Sequence, residues 1–192
     1  MDDTLKAALA AANVLDELGV RWFLGGSLAS SVHGIPRATF DADIMADLLP
    51  SHVRPLIKLL GDEWYADEGD IMDALKQRSS FNLIHFATAM KVDVFVPKAR
   101  RFDGGEFARS RRMPVAEGSS TEASVCCAED IVVAKLEWYR LGGEDSERQW
   151  QDVLGVLRLN SERLDTQLLQ QSAEEVGVSD LLRKALDVAG AG

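Results

Sequence analysis

Asp41 and Asp43 stand one residue apart, shortly after a Gly25-Gly26-Ser27 turn, and a third aspartate, Asp93, interrupts the apolar run Val92-Asp93-Val94-Phe95. Residues i and i+2 of a strand point to the same face, so Asp41 and Asp43 project together while Ala42 and Ile44 turn the other way. Two carboxylates ~4 Å apart repel by roughly 1 kcal/mol in water and about 4 kcal/mol at an effective dielectric near 20. A cation relieves that cost, and hard oxygen donors select magnesium or manganese over zinc. A lone Asp-x-Asp is equally the mark of a solvated strand edge. Its company makes it informative: a turn that can hold phosphates and a third carboxylate on an apolar strand specify transfer of a nucleotidyl or phosphoryl group.

The turn must sit between a strand and a helix to work this way. Val20-Arg21-Trp22-Phe23-Leu24 reads as the strand, and Ser27 to His33 as a short helix closed by Gly34 and Pro36. Backbone N–H groups and the positive end of the helix dipole then face an anion. Ser27 can cap the helix and donate to a phosphate. No Gly-Lys-Ser/Thr follows, so this is not a Walker A loop.

The other elements follow from periodicity. A helix is predicted over 3–18, strands over 39–45, 81–85 and 91–96, the last two as a hairpin, and a helix over 52–60. A mixed stretch of glycines, charges and Pro114 runs from 97 to about 121. Helices are then predicted over 130–141, 146–159, 164–176 and 180–189. The fold class is α+β, a mixed α/β sheet followed by helices, with a catalytic core over 1–122 and a C-terminal helical region over 123–192.

The bulk properties set limits. The chain has 192 residues, a net charge of −10 and a hydrophobic fraction of 46%. About 70% of the unfolded surface is buried at such a length, enough for a sizeable core. The acidic balance argues against broad non-specific nucleic-acid binding, which needs a basic face. A local basic cluster, Lys98, Arg100, Arg101, Arg109, Arg111 and Arg112, is the candidate RNA-facing surface, or else a solvated loop and helix face. Cys126 and Cys127 are adjacent and read as two small, partly buried thiols rather than a disulfide or a zinc site. No signal peptide or membrane-spanning stretch is evident, and a cytoplasmic protein is expected.

Strand, Gly25-Gly26-Ser27, helix and Asp41-Ala42-Asp43-Ile44, with Val92-Asp93-Val94 later, resembles the signature of the polymerase-beta-like nucleotidyltransferase superfamily. Gly25-Gly26-Ser27-Leu28-Ala29, Gly34-Ile35-Pro36-Arg37-Ala38-Thr39 and Asp41-Ala42-Asp43 are similar to the AbiEii-type branch of abortive-infection and toxin–antitoxin systems. The segments Asp130 to Leu136 and Ser146 to Asp152 resemble that branch's lysine- and Arg/Asp-containing helices. The resemblance implies a nucleotidyltransferase fold whose helical region closes over a nucleoside triphosphate such as ATP. It implies two Mg2+ or Mn2+ ions on Asp41 and Asp43, with Asp93 completing the site near the acceptor hydroxyl. Gly25, Gly26 and Ser27 would contact the triphosphate. RNA is the implied acceptor and an antitoxin the implied partner; a silent nucleotide-binding protein and a transferase acting on a small molecule such as an aminoglycoside are the alternatives.

Four further readings bear on the site. Arg37 contacts a phosphate or pairs with a nearby carboxylate. Lys135 reaches the triphosphate or snorkels. Arg148 and Asp152, four apart on a helix, are expected to pair locally. Trp138 and Tyr139 pack, or stack on a base.

Overall fold

The computed structural model describes residues 3–116 and 118–190. By packing, the chain divides into two compact units: residues 1–28 with 38–108, and residues 29–37 with 109–192.

The first unit is built on strands β1 (Trp22–Leu24), β2 (Asp41–Ala46), β3 (Trp64–Tyr65), β4 (Ser80–His85) and β5 (Met90–Phe95). They lie in the order β3-β4-β5-β2-β1. β2 and β5 run parallel, and the β1–β2, β3–β4 and β4–β5 pairs are antiparallel, so the sheet is mixed. The hairpin predicted for β4 and β5 is present, closed through His85 opposite Met90.

Alternation along β2 and β5 separates an oily side from a charged one. Ala42, Ile44, Ala46, Val92 and Val94 are buried, whereas Asp41, Asp43, Lys91 and Asp93 are half-buried. Helix α1 (Asp3–Glu17) packs on β2 and β5. Its buried positions are mostly small, Ala7, Ala8, Ala11 and Ala12, with Leu5 and Leu15 as larger anchors. Thr4 ties that helix to the start of β2 by donating to the Thr39 carbonyl at 2.8 Å. A 3₁₀ turn at Pro50–His52 leads into α3 (Val53–Leu60), and α4 (Glu68–Gln77) packs on α3 and β4.

The stretch 97–121, mixed in sequence and with no element predicted, contains helix α5 (Arg101–Arg109) and strand β6 (Arg111–Pro114). Helix periodicity is disguised there because Asp103 and Glu106 are buried with Phe102, while Gly104 and Gly105 weaken the propensity. Arg100 makes the burial of Asp103 tolerable by donating to it from Nε at 2.7 Å.

The second unit pairs β6 with β7 (Glu122–Val125), then continues as α6 (Ala128–Leu141), α7 (Glu147–Asn160), α8 (Thr166–Val176) and α9 (Ser179–Ala189). These helices bear out the helical C-terminal third. Ser146 caps α7 and Asp165 caps α8 through side-chain oxygens that accept from the third residue on. Their shared core includes Ile131, Val132, Leu136, Val153, Val156, Leu157, Leu169 and Leu182.

Helix α2 (Gly26–His33) starts in the first unit and ends in the second. Its end is held by α7: Asn160 donates to the His33 carbonyl at 2.7 Å, and Ile35 lies against Gly155. His33 bonds the Cys126 carbonyl through Nε2 at 2.7 Å. Among the described residues no helix is long and apolar enough to cross a membrane.

Ile44 lies between Asp43 and Met45 and is fully buried. Ile44→Ala should lower stability by about 3 kcal/mol, within the usual range for such truncations. Urea unfolding of the two proteins measures it; a loss under about 1 kcal/mol would mean that β2 is not anchored through this side chain.

Candidate active site

Parallel register sets Asp43 beside Asp93 and Asp41 beside Lys91. The antiparallel partner β4 extends these rows with Asn82 next to Asp93 and Ile84 next to Lys91. Register partners share a face, so three carboxylates, one ammonium and one amide occupy adjoining positions on one side of the sheet. The three aspartates expected to act together are therefore brought together. Lys91 and Asn82 are additions that the sequence reading passed over. Lys91 was legible: it is two residues before Asp93 on the same strand, hence on the same face.

Each carboxylate has a defined neighbour. The Thr39 hydroxyl lies 3.0 Å from Asp41 Oδ1 and donates to it. Lys91 Nζ donates to Asp93 Oδ2 at 2.6 Å. That hydrogen bond raises the Lys91 pKa above the usual lysine value; burial opposes the rise, and the charges of Asp93, Asp41 and Asp43 all reinforce it.

Asp43 sits against the glycine turn. The Gly25 N–H donates to the Asp43 carbonyl at 2.9 Å. Gly26 has φ +49°, and a Cβ placed on it would lie 1.6 Å from Asp43 Oδ2 and 2.4 Å from Cγ. Two separate demands, left-handed backbone and space for a carboxylate, thus require glycine here. α2 begins at this same residue, so the carboxylate lies at the helix entrance. Ser27 follows inside its first turn.

The donor set suits a hard divalent ion: three oxygen-bearing side chains on one face, one of them in a cradle that a Cβ would fill. Among the described residues, though, no three His, Cys, Asp or Glu side chains are gathered as they stand into a metal cage. Asp93 is engaged by the Lys91 ammonium instead.

In the second unit Arg37 grips Asp152 with two nitrogens, Nε at 2.8 Å and Nη2 at 2.7 Å. Lys135 Nζ reaches the same carboxylate at 2.8 Å. The expected local pair between Arg148 and Asp152 is replaced by these two distant partners, and Arg148 is exposed. The side chains of Asp152 and Lys135 are each only 7% exposed, and there fixed cations satisfy the carboxylate better than a solvent-facing arginine one turn away. Lys135 does not snorkel. Burial alone would raise the Asp152 pKa, but hydrogen bonds from Arg37 and Lys135, with their charges, hold it below the ordinary carboxylate value.

The basic cluster past Asp93 is smaller than its sequence suggests. Arg100 is committed to Asp103, and Arg109 clamps the fully buried Asp130 through Nε and Nη2 at 2.8–3.1 Å. Tyr139 packs on Trp150 with ring centroids 5.4 Å apart, while Trp138 is half exposed. Cys126 is buried and Cys127 half-buried, neither in a disulfide, as expected, and burial pushes the Cys127 thiol up, away from a reactive thiolate.

No protein-family model and no curated protein matches the chain. Among solved structures it is similar to the solution structure of the antibiotic-resistance factor ANT(2'')-Ia, with a TM-score of 0.54 at 12% identity over 98% of this chain and 96% of that one. It also matches an antigenic nucleotidyltransferase-like protein from Paracoccidioides brasiliensis, with a TM-score of 0.49 at 14% identity over 99% of this chain and 92% of that one. The fold is the mixed-sheet nucleotidyltransferase fold with a C-terminal helical region.

Gly26→Ala must both strain the backbone and displace the Asp43 carboxylate. A stability loss of about 1–2 kcal/mol is expected by thermal or urea unfolding. An unchanged midpoint would show that the turn is not built as described.

A depressed Asp152 pKa means that the unfolded chain binds more protons in the acid range. The stabilisation is full above the unfolded value of about 3.9 and disappears as pH falls through the lower folded value. Asp152→Asn should cost about 3 kcal/mol at neutral pH, because two cations lose their shared counter-charge. The difference between the two proteins in unfolding measurements should shrink as pH falls below the unfolded carboxylate value and vanish only below the depressed folded one. A difference that stays constant with pH would rule out the ion triad as its source.

Proposed function

We propose that this chain is a divalent-metal-dependent nucleotidyltransferase that moves a nucleoside monophosphate from a nucleoside triphosphate to an acceptor hydroxyl. One observation carries the reading: Asp41, Asp43 and Asp93 share a sheet face, with the Asp43 carboxylate seated against the Gly26 turn that opens α2. A carboxylate face beside a helix entrance suits a polyphosphate only if cations join them.

Asp41, Asp43 and Asp93 are the residues to hold two magnesium or manganese ions, with Asp93 completing the site near the acceptor hydroxyl. When bound, such ions lower the pKa of the acceptor hydroxyl and neutralise the departing oxygens. Gly25, Gly26 and Ser27 form the backbone turn for the phosphates, where the bare glycines permit close approach; the Gly25 N–H itself stays on the Asp43 carbonyl. The acceptor oxygen bonds to the α-phosphorus in line with the bond that breaks, and pyrophosphate leaves. The hydroxyl proton departs as the new bond forms, and a facing carboxylate is suited to receive it.

The AbiEii-type resemblance supports RNA as the acceptor, within a toxin–antitoxin pair. A second reading, a small cationic acceptor, has its own support: the chain carries a net charge of −10, and Arg100 and Arg109 of the basic cluster are already paired with acids.

Each α-labelled nucleoside triphosphate, with magnesium, is offered to total tRNA and separately to a panel of aminoglycosides. Label should move to one acceptor class and fall on the order of a hundredfold or more in Asp43→Ala. No transfer to either class, or equal transfer by wild type and Asp43→Ala, would sink the proposal.

A further inference from the structure

We infer that Lys91 is a built-in counter-cation of the carboxylate face: it holds Asp93 until a divalent ion displaces it, and thereby sets how tightly the face takes metal. The inference rests on reading Asp41, Asp43 and Asp93 as the metal ligands, and goes beyond that reading by giving the fourth charged position a role.

The geometry supplies the argument. Lys91 is the register partner of Asp41, and Asp93 that of Asp43, so the ammonium belongs to the same face as all three carboxylates. It lies 2.6 Å from Asp93 Oδ2. Across the sheet its neighbour on β4 is Ile84, which offers no competing charge, while Asn82 stands beside Asp93. The polar side chains on the face include Thr39, Asp41, Asp43, Asn82, Lys91 and Asp93. Three negative charges and one positive leave a net of about −2, which one divalent ion balances.

Lys91 is also able to leave. Its side chain is 44% exposed, against 15% for Asp93. A lysine carries a compact charge on a flexible stem, so it can swing its head into water while keeping its methylenes on the sheet. A pair with one partner half-exposed is held less firmly than a buried one. A divalent ion binding several carboxylates outcompetes one ammonium, and the ammonium in turn keeps the metal-free face from repelling itself.

The test uses the whole chain, manganese alone and no nucleotide, with free Mn2+ read by electron paramagnetic resonance. Lys91→Met should bind Mn2+ on the order of tenfold more tightly than wild type, since the ion no longer displaces a cation. Lys91→Arg keeps the charge and should stay near wild type, which a merely structural role for the lysine stem would not produce. Adding Asp43→Ala to Lys91→Met should abolish the gain. Circular dichroism and thermal melting establish that each variant is folded. Affinity in Lys91→Met that is unchanged or weaker, while Asp43→Ala still abolishes Mn2+ binding, overturns the role of Lys91 and leaves the metal site standing. Mn2+ binding indifferent to Asp43→Ala in every background overturns the metal-site reading, and this inference with it.

Discussion

Repulsion among three carboxylates on one sheet face is the constraint that organises the first unit. Asp41, Asp43 and Asp93 are fixed there by the parallel register of β2 and β5. The register in turn is fixed by the opposite face: sliding either strand by one residue would turn Ala42, Ile44, Val92 and Val94 to solvent and bury the aspartates. Hydrophobic burial thus holds the acids together against their charges. Lys91, the Thr39 hydroxyl and the Gly26 cradle are the local means by which the face tolerates this arrangement.

The second unit solves a related problem in the opposite way. The side chains of Asp152 and Asp130 are buried, and each is met by fixed cations supplied from far along the chain: Arg37 and Lys135 for the first, Arg109 for the second. These acids are closed by permanent ion pairs. On the sheet face, Asp93 is met by a lysine that is itself half-exposed, a pairing that an added cation could displace. That contrast in how the acids are compensated is the physical reason to place metal chemistry on Asp41, Asp43 and Asp93 and to treat Asp130 as structural.

Much of this was legible wherever short-range pattern coincides with burial. Alternation in Asp41-Ala42-Asp43-Ile44 and Val92-Asp93-Val94 located both strands and the shared face, and the apolar periods of α6 to α9 gave the helical third. Pattern failed where buried positions are polar or few. α5 buries Asp103 and Glu106, and α4 buries little beyond Ile71 and Ala74, so neither shows a clean apolar stripe. Spacing along a helix also favoured Arg148 as the partner of Asp152, because a sequence does not display the arginine that folding brings from position 37. The glycine at 26 was readable as a turn, but its closeness to the Asp43 carboxylate needed the fold.

The central claim is that this one face joins divalent ions to a triphosphate. A crystal structure of the chain with magnesium and a non-hydrolysable nucleoside triphosphate tests it most directly. The account predicts ions bound by Asp41 and Asp43, phosphates against the backbone of Gly25, Gly26 and Ser27, and Lys91 turned away from Asp93. A nucleotide bound elsewhere, or ions that ignore Asp41 and Asp43, would contradict it.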